Sequence, residues 1–118
     1  LSIPVEPVDS VEPVEPHGVR VIVERVDRPR GSTAVGDFFD VVGSKLMLPP
    51  GGSFDVYAFN AAVPVLGMAL GPLPEDDWLA RKPYICGPDP VENVVMKLVR
   101  MPVSELDATR NDLNRSER

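Results

Sequence analysis

A chain of 118 residues has room for one domain with a modest core, because small domains bury a smaller share of their surface than large ones. A formal net charge of −6 with scattered basic residues argues against nucleic acid or anionic lipid as the default partner. The single cysteine rules out an internal disulfide, no stretch nears the roughly 18 consecutive apolar residues of a membrane span, and 14 prolines leave little chain for long helices.

Residues 1–17 read as an arm. LSIPVEPVDSVEPVEP repeats Val-Glu-Pro or a near variant, with no base. Proline removes backbone donors and favours extended or polyproline conformations, so the segment forms neither a helix nor a central strand by itself. Leu1 to Ser10 has neither a basic n-region nor an apolar h-region, so no intact signal peptide is expected, and with one cysteine the expected compartment is the cytoplasm.

Residues 18–102 carry the domain. GVRVIVERV alternates Val19, Val21 and Val23 against Arg20, Ile22 and Glu24, the period of a strand with one face in the core. After the breakers Pro29, Gly31 and Gly36, FFDVVGSKLMLP supplies a second strand, or a strand pair broken at Gly43, and the short separation predicts antiparallel pairing. Pro49-Pro50-Gly51-Gly52 ends that segment, and Ser53 or Asp55 can cap a helix from about Val56 to Leu70. That helix is almost entirely apolar, which predicts burial on most sides, and Pro64 is expected to kink or interrupt it. A thin sheet could not cover it alone, so the tail or another chain is expected across it.

The linker GPLPEDDWLARKP leads to PYICGPDP. ENVVMKLVRM then forms the last strand, with Val94, Met96 and Leu98 facing opposite to Val95, Lys97 and Val99. Residues 103–118 begin with a capping-box-like Ser104-x-x-Asp107 but offer only Leu106 and Leu113 as apolar anchors, and read as a polar tail, helical in part. The expected architecture is α+β: a small, mostly antiparallel sheet packed on one apolar helix, with an extended arm and a polar tail.

Gly36-Asp37-Phe38-Phe39, the apolar helix, Asp77-Trp78, and Cys86 followed by Pro88-Asp89-Pro90 before the last strand occur in one order. Together they resemble an uncharacterised family of small bacterial proteins with a Gly-Asp-x-Phe motif, an Asp-Trp motif and a terminal Cys-Pro-Asp-Pro followed by a hydrophobic strand. The resemblance covers roughly Val19 to Met101 and implies a family rather than an activity. The chain departs from it where Gly87 separates Cys86 from Pro88, and in lacking the further cysteines of many members, so it implies no metal or redox role here.

Candidate chemistry is sparse. A nucleophilic cysteine needs a neighbouring base or a depressed thiol pKa, and the only histidine, His17, ends the arm. Cys86 therefore reads as a small buried strand residue, and Asp37 and Asp89 as acceptors that fix turns. Glu75, Asp76 and Asp77 read as a solvated loop, with Trp78 either a lid on the core or an interface aromatic. The glycines form no phosphate loop, and neither a zinc spacing nor any cofactor motif is present. The expectation is a non-catalytic accessory subunit or interaction module of a larger bacterial assembly, bound to a larger catalytic subunit or to copies of itself. Ile3, Val5, Val8, Val11, Val14 and Trp78 are its expected contacts, though spacing does not put all five of those arm residues on one side. The alternative is a small ligand-binding protein or enzyme with a pocket near Cys86, Asp37 and Trp78.

Overall fold

The computed structural model describes residues 15–116, with side chains through Asp112. The arm contacts expected of Ile3, Val5, Val8, Val11 and Val14 lie outside the described residues. The fold is α+β. Its elements are β1 (His17–Arg25), β2 (Phe38–Val42), β3 (Lys45–Met47), α1 (Val56–Leu70), α2 (Trp78–Arg81), β4 (Tyr84–Cys86), β5 (Val95–Pro102) and α3 (Val103–Ser116). The strands form one antiparallel sheet in the order β3-β2-β1-β5-β4.

The alternation of β1 sorts the two faces. Val19, Val21 and Val23 are buried on one face, where Val21 pairs with Phe39 on one side and Leu98 on the other. Phe39 is met edge-on by Phe54 and Phe59, with ring centroids 4.7 and 5.1 Å away. On this face α1 lays down Ala58, Ala62, Leu66 and Ala69, spaced four, four and three residues apart, so a single helix edge enters the core. The Asp55 carboxylate caps the helix by accepting from the Ala58 N–H at 2.9 Å.

The opposite face differs from expectation. The segment after Pro102 is a 14-residue helix packed on the sheet, not an appended polar tail. Leu106 is fully buried and sits over Gly18, where a β-carbon would lie 2.6 Å from Leu106 Cδ1 and 2.7 Å from the Val41 carbonyl. The rest of the contact is polar: Arg20, Asp40 and Arg110 are all buried there. Polar groups can line a buried helix–sheet contact when every one has a partner, and no buried side-chain nitrogen or oxygen among the described residues lacks one. An amphipathic pattern built on charged residues is invisible to a search for apolar periodicity.

Two further expectations are corrected. Cys86 is exposed, because β4 is an edge strand and Cys86 pairs with Val95, whose register places both on the face opposite the main core. And α1 is buried along one side rather than most, running through Pro64 as one helix with that proline exposed.

Candidate functional site

Two features stand out. The first is the outward side of α1. Val56 (63% exposed), Tyr57 (70%), Val63 (42%) and Met68 (41%) are open to solvent together with Asn60, Pro64 and Gly67. Val56/Val63, Tyr57/Pro64 and Asn60/Gly67 repeat at heptad spacing and Met68 follows Pro64 one turn on, so they form a continuous stripe along the helix with no charged residue in it. Trp78, at the first position of α2, is half exposed. The Asp77 carboxylate there accepts from the Leu79 N–H at 3.0 Å and turns Leu79 into the core.

The second is a cleft of about 400 Å³ where the β1–β2 loop, the start of α1 and the β4–β5 loop meet. Asp37 and Asp89 both line it, with Arg30, Ser32, Tyr57 and Glu92. Of the residues near which a pocket was expected, Asp37 lines this cleft, while Cys86 and Trp78 do not.

The carboxylates of the cleft hold the loops that make it. Asp37 accepts from the Ala34 N–H at 3.0 Å, and the β1–β2 turn is closed by Val23 donating to the Asp37 carbonyl at 2.8 Å. Asp89 accepts from the Val91 and Glu92 N–H groups at 2.9 and 3.3 Å, and its other oxygen lies 3.4 Å from Arg30 Nε. The bond from Val91 is the largest influence and, with lesser help from the Glu92 N–H and the Arg30 charge, holds the Asp89 carboxyl below the usual carboxylate range against the opposing cost of desolvation. Glu92 accepts from the Arg30 N–H at 2.8 Å, which ties one loop to the other.

A second tie lies beside it. Asp27 bonds Arg25 Nε at 2.5 Å and Asn93 Nδ2 at 2.8 Å, and its carboxyl is likewise lowered, chiefly by Arg25. Asn93 holds a left-handed φ of 47°, which asparagine tolerates better than most residues.

The lone histidine and the lone cysteine do not meet. His17 aligns with Pro102 and Cys86 with Val95, seven residues apart on β5, which is roughly 23 Å along the strands. His17 Nδ1 donates to the Glu15 carbonyl at 2.8 Å. Among the described residues no three His, Cys, Asp or Glu side chains cluster in a way that could hold a metal ion. No helix there is long and apolar enough to cross a membrane.

The Arg20–Asp40–Arg110 cluster has no motif in the sequence. Its local signal is a charged residue flanked by apolar ones in each strand, Arg20 between Val19 and Val21 and Asp40 between Phe39 and Val41. No family model matches the chain, and no curated protein or solved structure matches it.

Proposed function

We propose that this protein is a non-catalytic accessory subunit or interaction module of a larger cytoplasmic bacterial assembly, docking through the outward face of α1 onto a larger catalytic subunit or a copy of itself. The observation that carries this is the uncharged, solvent-open stripe of Val56, Tyr57, Val63 and Met68 on a helix whose other side is already anchored in the core. Contiguous apolar surface of this kind marks contact sites. The resemblance to a family of small bacterial proteins implies no activity and adds no chemistry to this reading. The commitment of the cleft carboxylates to backbone N–H groups supports a structural role for them. The test is a photo-crosslinking residue placed at Tyr57 or Met68 in the native cell, with Asp112 on α3 as control. A defined adduct from the α1 positions, absent from the control, is expected; equal labelling at all three would overturn the reading.

A second reading, a small ligand-binding protein, is favoured by the cleft of about 400 Å³ lined by Ser32, Asp37, Tyr57 and Glu92. It requires a small molecule that raises the melting temperature of the wild type but not of Tyr57→Ala.

A further inference from the structure

From Pro4 to Pro16 the sequence runs in triplets: Pro4-Val5-Glu6, Pro7-Val8-Asp9, Ser10-Val11-Glu12, Pro13-Val14-Glu15, then Pro16. A polyproline II helix turns once every three residues. In that conformation the four valines share one edge, the four acids a second, and the prolines a third that is broken only by Ser10. Of the six aliphatic residues in the arm, Leu1 and Ile3 precede the triplets and fall out of phase, Leu1 in the proline row and Ile3 in the acidic row. A solubilising tail needs acids and prolines but has no need to keep valine in register with them.

We propose that residues 4–14 form a polyproline II strap whose valine edge lies along the outward face of α1 in a second copy of this chain. This deepens the interaction-module reading and rests on it.

Dimensions agree. Polyproline II rises about 3.1 Å per residue, so successive valines stand about 9.3 Å apart and three of them span about 19 Å. The 15-residue α1 is about 22 Å long, and its open pairs Val56/Val63 and Tyr57/Pro64 each repeat after seven residues, about 10.5 Å. Three valines therefore meet successive parts of the stripe without a large mismatch.

Chemistry agrees as well. A polyproline II segment docks without forming secondary structure, loses less entropy than a flexible chain, and is received by aromatic-lined apolar surface, which Tyr57 supplies here. Because α1 carries no charge, the acidic edge has to turn outward. Exposed Arg100 shares a cleft with Ala69 of the last turn of α1, and Arg81 and Lys82 follow Ala80 of that same cleft.

The choice of a second copy comes from where the arm leaves the domain. Pro16 accepts from the Val103 N–H at 2.9 Å, and Glu15 accepts from the Ser104 hydroxyl. The arm is thus tied to the first turn of α3, across the sheet from its own α1.

The test uses the full chain in sedimentation equilibrium. Exchanging Val8 with Asp9 and Val11 with Glu12, as Val8→Asp, Asp9→Val, Val11→Glu and Glu12→Val, preserves composition and charge but breaks the valine row. The wild type is expected to self-associate, and both this variant and Val63→Glu to weaken that association at least tenfold with unchanged circular dichroism. In a Cys86→Ser background, oxidising a mixture of Val8→Cys chains with Met68→Cys chains should link one to the other. A wild type that stays monomeric, or a disulfide formed only within single chains carrying both cysteines, overturns the strap on a second copy. If Val63→Glu weakens association and the exchange does not, the strap fails while the interaction-module reading stands. If the chain associates and neither variant weakens it, both fail.

Discussion

Arg20 and Asp40 face each other across the β1–β2 ladder and join through two hydrogen bonds, 2.8 and 3.0 Å, on a carboxylate with no solvent exposure. Arg110 of α3 reaches the same carboxylate at 2.6 Å, and Arg20 also donates to Thr109 Oγ1 at 2.8 Å and to the Leu106 carbonyl at 3.2 Å. The Arg20 guanidinium lies 4.0 Å over the Phe38 ring. One carboxylate therefore joins β1, β2 and α3.

Removing it strands two buried guanidinium groups. Asp40→Ala is expected to cost about 3–5 kcal/mol in urea unfolding, the range for breaking a buried ion pair from one side. Asp40→Asn should cost less, because its amide oxygen still accepts from one arginine. A loss below about 1 kcal/mol for Asp40→Ala would show that α3 is held by something else.

Gly18 tests the apolar half of the same contact. A methyl group there meets the Leu106 side chain and the Val41 carbonyl at less than 3 Å, so Leu106 must turn away and the β1–β2 backbone must give. Gly18→Ala is expected to destabilise by about 1–3 kcal/mol through overpacking, and Leu106→Ala by about 2–5 kcal/mol through the cavity it leaves. Thermal unfolding measures both, and a neutral Gly18→Ala would contradict this packing.

Asp89 predicts a pH dependence. Its folded pKa is lowered, so its contribution is present above the unfolded value of about 3.9 and is lost as pH falls through the folded value. The melting-temperature difference between wild type and Asp89→Ala should therefore hold from neutral pH down to about pH 4 and shrink below it. At neutral pH Asp89→Asn should be milder than Asp89→Ala, because an amide oxygen can still accept from the Val91 N–H. Equal losses for Asn and Ala would argue against the turn-fixing role.

Cys86 should behave as a surface thiol. A soluble disulfide reagent is expected to titrate about one thiol per folded chain without denaturant, and Cys86→Ser to change stability by less than about 0.5 kcal/mol, as surface substitutions usually do. A thiol that reacts only on unfolding would contradict its placement on the edge strand.

Local rules were enough for the strands, the start of α1 and the turn acceptors. Period-two alternation put Val19, Val21 and Val23 on one face because successive side chains on a strand point opposite ways wherever the strand lies. Gly43 broke the second strand into β2 and β3 because the turn needs its φ of 59°, and Asp55 capped α1 because a carboxylate can reach an N–H three residues on.

Only the tertiary structure decided what those elements face. Arg20 lies 20 residues from Asp40 and Asp40 lies 70 from Arg110, so no window along the chain contains the ion cluster that makes residues 103–116 a packed helix. The strand order β3-β2-β1-β5-β4 put Cys86 on an edge, and the same three residues in a central strand would have been covered. The apolar composition of α1 was plain in the sequence. Which half of it would remain open depended on a sheet with room for one helix edge, Ala58 to Ala69, and so could be settled only by the assembled fold.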